Sequence, residues 1–437
     1  MPPTSSPPSP NILLILTDQL SADALSCAGN QWVKTPAIDR LSERGVRFER
    51  AYCTHPLCSP ARSSLFTGLM PHQSGVYDNS IPFTAGADCI GLGAHLRQAG
   101  YDCAYVGRGP SPDIHGFELL GENDCMDPVV TPLASRFLET SRTEPFLLAV
   151  SYHNPHNICE WARRQNLRDA AIEVPSDRRQ WPPLPANFAV APYEADAVRW
   201  YQQSHLHAHP EPDWSADDWR EYLYAYYRLV EAVDAQIAEL LAALERSGAA
   251  ENTIIIFSSD HGNGCAAHRW NQKTVLFEEC IRIPLIVVDP RHGRRGVVDR
   301  SHLVSLGLDF FTTACDYAGV AAPDECVGLS LRHPVCADTP TPWRDHLFVE
   351  TTLHIDGVPN KPNHILARAV IGERYKYAVY PLGRNREQLI DLHRDPGEMI
   401  NLAVLAHYEE ELRRQRDLLA AWKKSTGDKC PVPGAGT

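Results

Sequence analysis

No apolar run in this chain approaches the roughly 20 residues needed to cross a bilayer, so no membrane-spanning helix is expected. Basic residues are in deficit: 41 Lys and Arg face 54 Asp and Glu, for a formal charge of −13. That balance speaks against a chain whose main task is gripping nucleic acid, although it leaves room for a local basic pocket. The 13 cysteines are odd in number and scattered, and they form no CxxC pair. A zinc ribbon or a small disulfide scaffold is therefore not expected, and most of them should be small buried hydrophobes. The N-terminus, MPPTSSPPSP, has neither the basic nor the apolar region of a secretory leader. Residues 1–10 read as a flexible arm. As it stands the chain reads as cytoplasmic; a periplasmic or secreted protein trimmed of its leader would look the same.

What remains is globular in composition, 43% hydrophobic and 22% charged over 437 residues. Asn11 to Thr17 is a continuous apolar run that stops abruptly at Asp18-Gln19. Such a run fits a strand buried on both faces of a parallel sheet. Pro145 to Tyr152, ending at His153, reads the same way. So do Thr253 to Ser259, ending at Asp260-His261, and Ile283 to Val288. Between Tyr222 and Ser247, Tyr226, Val230, Val233, Ile237, Leu240 and Leu244 recur at helical spacing, with Gly248 as the stop. Alternating strands and helices predict an α/β fold, a large mostly parallel sheet sandwiched by helices.

The main domain is expected over residues 11–355. Within it, residues 163–219 are rich in Pro, Trp and charge and read as a substrate-shaping insertion. The texture changes after about residue 355. Ile365 to Tyr380 and Gln388 to Leu392 read as short antiparallel strands, and Tyr408 to Lys424 as an amphipathic helix. Residues 356–437 are thus expected to form a small C-terminal α+β subdomain.

Ligands of open α/β sheets bind beyond the carboxyl ends of the strands, where Asp18, His153, Asp260 and His261 fall. Carboxylates with an imidazole suit a divalent cation. The segment Cys58-Ser59-Pro60-Ala61-Arg62 places Pro60 in a helical first turn and Arg62 one turn from Cys58. A helix N-terminus beside a guanidinium suits an anion.

Cys58-x-Pro60-x-Arg62 with its Leu-Phe-Thr-Gly tail resembles the signature of the type I, formylglycine-dependent sulfatases of the alkaline-phosphatase-like superfamily. The resemblance runs nearly the whole length. NILLILTDQ, KTPAIDRLSERGVRFERAYCTHPLCSPARSSLFTGLMPHQSGV, SYHNPHN, IIIFSSDHGN, AHRWNQK, RIPLIVV and LIDLHRDPGEMINLA follow in the family's order. It implies that a maturation enzyme oxidises Cys58 to formylglycine, whose hydrate attacks sulfur. It implies a divalent metal, usually calcium, held by Asp18, Gln19, Asp260, His261 and the converted Cys58. Arg62 would hold the hydrate and Lys273 a sulfate oxygen. His156 would be an acid or base with His153 nearby, and His268 would face the leaving oxygen. The substrate would be a sulfated small molecule or glycan; SYHNPHNICEW resembles sulfatases of bacterial polysaccharide breakdown.

Two departures stand out. Gln19 and His261 replace a commoner Asp and Asn, a combination that resembles choline sulfatases and phosphonate monoester hydrolases. Where the family often carries Lys-x-His, this chain has Arg108-Gly109-Pro110. Arg108 keeps a positive charge for substrate binding, but Pro110 cannot transfer a proton. A phosphonate monoester or phosphodiester hydrolase, or a non-catalytic binder of sulfated glycans, are the alternatives these departures raise. Trp181, Trp200, Trp214 and Trp219 of the insertion fit either a sugar-binding face or packing of the loop.

Overall fold

The run Asn11–Asp18 (β1) is buried on both faces, and alternate residues feed different cores. Ile12, Leu14 and Leu16 enter one apolar layer, Leu13 and Ile15 the other. This computed structural model describes residues 9–81, 91–109, 116–168, 171–204, 214–355 and 357–431. Residues 1–8 of the expected arm, with Pro110, lie outside that set. β1 is an inner strand of an eight-stranded sheet. The order is β5 (Glu118–Leu119), β4 (Asp102–Gly107), β6 (Phe146–Pro155), β1, β7 (Thr253–Ser259), β8 (Leu285–Val288), β2 (Val46–Phe48) and β9 (Val297–Asp299). Leu14 lies opposite Ala149 on one side and Ile256 on the other, both in parallel register. The carboxyl ends of β6, β1 and β7 therefore open at one edge of the sheet.

Ile283–Val288 departs from the expected parallel strand. β8 runs antiparallel to β7, with Ile256 opposite Val287, and antiparallel to β2. After β7 the chain loops over the open edge, makes the short helix Glu278–Ile281 and descends from there. No crossover returns it to the far end of the sheet, so the strand must run down. A run buried on both faces reports burial, not direction.

The long helix spans Ala216–Arg246, starting ahead of Tyr222 because Ser215 caps it. The Ser215 hydroxyl accepts from the Asp218 N–H at 3.2 Å, and the Asp218 carboxylate accepts from the Ser215 N–H at 2.7 Å. Tyr222, Tyr226, Val230, Val233 and Ile237 on its buried face pack under the sheet. The tryptophans of the 163–219 stretch mostly pack. Trp219 is buried, edge-on to Phe188 at 5.7 Å and to Trp214 at 4.9 Å. Trp181 donates to the Pro175 carbonyl at 3.0 Å, and the Lys361 ammonium lies 3.8 Å over Trp200.

A two-stranded parallel pair, β3 (Ala51–Tyr52) with β10 (Val304–Ser305), lies beside the main sheet. The C-terminal sheet is antiparallel throughout: β11 (His346–His354), β12 (His364–Gly372), β13 (Tyr375–Val379) and β14 (Glu387–Asp391). It begins ahead of residue 356. Ala367, Ala369 and Ile371 join the main core, while Val370, Tyr377, Val379 and Leu389 take Leu412 and Leu419 of the helix Glu409–Thr426.

Candidate active site

Cys58 opens the helix Cys58–Thr67. The helix stops at Gly68, whose φ of 71° is left-handed and where a Cβ would lie 2.7 Å from the Cys326 sulfur. Its thiol is buried at the open edge of the sheet. The sulfur lies 3.5 Å from Asp18 Oδ1, 3.3 Å from His261 Nε2 and 3.2 Å from Lys273 Nζ. Asp18 ends β1 and Asp260 follows β7, so the parallel register brings the two carboxylates together. His261 Nε2 is 3.7 Å from Asp18 Oδ1 and 3.6 Å from Asp260 Oδ1. Donor atoms of Asp18, Cys58, Asp260 and His261 all fall within 4.8 Å of one another.

Three cations surround this group. Arg62 Nε donates to Asp260 Oδ2 at 2.8 Å, and its Nη2 lies 3.4 Å from Asp18 Oδ2. Its Nη1 donates to Ser151 Oγ and to the Arg108 carbonyl, both at 2.6 Å. Arg108 Nε donates to Asp18 Oδ2 at 3.1 Å and its Nη1 to Asp124 at 3.0 Å. Lys273 Nζ stands 3.8 Å from Asp18 Oδ1. Burial alone would raise the Asp18 pKa; His156, Lys273, Arg108 and Arg62 overcome it and hold the carboxyl well below its usual range. Burial and Asp18 push the Cys58 thiol up, but Lys273 and His261 bring it below the ordinary thiol value.

His153 and His156 stand at the end of β6, rings edge-to-face with centroids 5.0 Å apart. Burial, then Arg108, pulls the His153 pKa down to about 4. Burial, then Lys273, holds His156 well below the usual imidazole value. Burial thus favours the neutral form of both rings. Gln19 is buried with a left-handed φ of 72°. Its N–H donates to Asp260 Oδ1 at 3.1 Å, its carboxamide oxygen faces the Cys159 thiol at 3.7 Å, and its Nε2 is buried without a hydrogen-bond partner.

The structure therefore gathers Asp18, Cys58, Arg62, Arg108, Asp260, His261 and Lys273, with His153 and His156 alongside. His268 stands apart from them. Its ring stacks on Phe277 at 4.1 Å and shares a cluster with Glu279 and Glu398. Its pKa is drawn down to about 3 by burial and then by Arg199 and Lys376. Asp127, Asp124, Tyr105 and Ser151 were not legible in the sequence. Asp127 accepts the backbone N–H groups of His153 at 2.5 Å and Asn154 at 3.0 Å, so it fixes the histidine turn. Its position near the start of a helix, after a stretch without periodicity, carries no signal of that reach.

The family model described as Sulfatase matches residues 10–320. The chain belongs to the sulfatase family. A second model, described as N-sulphoglucosamine sulphohydrolase, C-terminal, matches residues 266–424. A Delta 4,5-hexuronate-2-O-sulfatase of Bacteroides thetaiotaomicron is 30% identical, with 94% of this chain and 88% of that protein covered. An N-acetylglucosamine-6-O-sulfatase of the same organism is 26% identical over 97% of this chain and 88% of its own length. The solved structure of a 2-O GAG sulfatase superposes with a TM-score of 0.86 at 28% identity, covering 96% of this chain and 93% of that one. A phosphonate monoester hydrolase of Agrobacterium radiobacter shares the fold, with a TM-score of 0.76 at 24% identity and 95% and 96% of the two chains covered. This sulfatase is a sulfuric ester hydrolase with the alkaline-phosphatase-like architecture.

Proposed function

We propose that this sulfatase hydrolyses a sulfate ester on a sugar, with Cys58, matured to formylglycine, carrying the nucleophile. The observation behind this reading is the convergence on the Cys58 sulfur of Asp18, His261 and Lys273, each within 3.5 Å. The sugar substrate rests on the glycan sulfatases to which the chain is similar.

The residues present fit a divalent cation. His261 Nδ1 lies 3.0 Å from the Gly262 carbonyl, which pins the ring by its Nδ1–H and leaves the Nε2 lone pair facing the two carboxylates. Asp18, Asp260, His261 and the residue at 58 would hold the ion. Gln19 joins if its carboxamide turns its oxygen inward. The ion we propose is calcium; bound, it supplies positive charge against the sulfuryl oxygens. The formylglycine hydrate supplies a hydroxyl nucleophile and a second hydroxyl whose loss of a proton lets sulfate leave.

The chain's own residues do the rest. Lys273 and Arg108 bind sulfuryl oxygens and oppose the charge that makes a sulfate ester hard to approach. Arg62 orders the site by bridging Asp260, Asp18, Ser151 and the Arg108 carbonyl. His156 and His153 move protons at the nucleophile and the leaving oxygen. Neutral in the free site, they accept a proton there and gain affinity for it when an anionic ester binds.

Peptide mapping around Cys58, with turnover of a sugar sulfate measured on the same sample, is the test. Full activity with wholly unmodified Cys58 would remove the proposed nucleophile. Gln19 and His261 favour a second reading, a phosphonate monoester or phosphodiester hydrolase. Sulfate, phosphonate and phosphodiester substrates compared on one preparation separate the two.

A further inference from the structure

We propose that His268, Glu279 and Glu398 form a second divalent-cation site, separate from the Cys58 cluster and suited to zinc or a similar transition metal. One donor atom from each lies within 4.8 Å of the others. They come from three segments: the loop leading to Lys273, the helix Glu278–Ile281, and the turn after β14.

Two of the three side chains leave buried polar atoms without a partner, while Glu398 pairs with Lys376 and accepts from the Glu278 N–H at 2.6 Å. His268 is fully buried, and neither ring nitrogen has a hydrogen-bond partner. Its face is held flat on Phe277, with planes 17° apart, so the nitrogens are aimed and not free to search. Glu279 gives Oε1 to the Asn187 amide at 2.8 Å, while its Oε2 is buried with no partner. A buried imidazole and a buried carboxylate oxygen left unsatisfied are costly, and a phenyl ring would fill the space of His268 at less cost.

The local charges do not balance. Lys376 serves Glu278 at 3.0 Å and Glu398 at 2.5 Å, and Arg282 lies 3.7 Å from Glu278. Glu279 makes no ion pair among the described residues. Three carboxyl groups thus share one lysine and a distant arginine; burial raises Glu279, and Glu398 to about 7, so a bound cation would take the place of protons there. Three protein donors, one of them an imidazole nitrogen, suit the low coordination number of zinc, whereas calcium takes six to eight ligands.

A cation here would tie the C-terminal subdomain to the loop that carries Lys273. That loop needs fixing: Cys265, Ala266, His268, Arg269 and Thr274 all have positive φ.

The test uses the full chain, stripped with chelator and titrated with zinc and then cobalt, with bound metal counted by mass spectrometry. Asp260→Ala, which disables the Cys58 cluster, should keep one tightly bound zinc. Adding Glu279→Gln or His268→Ala to it should abolish that equivalent and the rise in melting temperature that zinc produces. Cobalt bound to Asp260→Ala should show the visible absorption of a low-coordinate nitrogen–oxygen site. If His268→Ala fails to fold, Glu279→Gln decides, because its carboxamide keeps the Asn187 bond. No zinc bound by Asp260→Ala, or zinc retained after Glu279→Gln, would overturn the proposal.

Discussion

Lys273→Ala tests the charge at the centre of the proposed chemistry. Its ammonium is buried, 3.2 Å from the Cys58 sulfur and 3.8 Å from Asp18 Oδ1. Unit charges about 4 Å apart attract by about 4 kcal/mol at an effective dielectric near 20. Burying the ammonium costs several kcal/mol, so little net stabilisation of the resting protein remains. Arg62 and Arg108 also hold Asp18, so the fold should survive the change. The transition state is different, because the ammonium then faces sulfuryl oxygens in a preorganised, water-poor site. Loss of one such donor costs about 3 kcal/mol, or about a hundredfold in kcat/KM. The assay is kcat/KM on a nitrophenyl sulfate and on a sugar sulfate, with circular dichroism and a melting curve on the same sample. A folded, matured variant whose kcat/KM falls less than about threefold would refute the reasoning, since Lys273 would then only balance Asp18.

Asp260→Ala removes a hard ligand and the main partner of the Arg62 Nε; bound calcium and turnover should both be lost, and a normal calcium content would refute the assignment. Arg108→Ala should raise KM and lower kcat, with Arg108→Lys recovering only part, because an ammonium cannot reproduce the fork that spans Asp18 and Asp124. His156→Ala should slow a sugar sulfate more than a nitrophenyl sulfate, since only the sugar oxygen needs its proton; equal losses would deny His156 the role of leaving-group acid. Stability should fall as pH drops from about 6.5 towards 4. Unfolded histidines take protons near pH 6.5, whereas native His153 waits until about 4, and burial holds His55 and His156 well below the usual value. At these rings the unfolded state therefore binds more protons in that window, while His72, Asp234 and Glu398, whose native affinities for protons are raised, act the other way; with the histidines dominant, urea midpoints should be lower at pH 5 than at pH 7.5. Equal midpoints would mean that these rings are not held neutral.

The sequence by itself determined the elements whose signal is local. The runs at Asn11, Pro145 and Thr253 marked inner strands because burial on both faces leaves no polar position. Their abrupt ends marked the site because an Asp after such a run has nowhere to go but the open edge. Pro60 marked the first turn of the helix that Cys58 opens through the backbone angle it allows. Tertiary structure decided what depends on chain direction and reach. Whether Ile283–Val288 ran up or down depended on where the preceding loop ended, and hydrophobicity is the same either way. His268 lies five residues from Lys273 yet faces Glu279 and Glu398, because left-handed angles at His268 and Arg269 turn the loop. Asp127 reaches the histidine turn, and Arg108 reaches Asp18, through a sheet register that pairs Val106 with Val150. Such contacts are set by packing between segments far apart in the chain, where no periodicity or spacing records them.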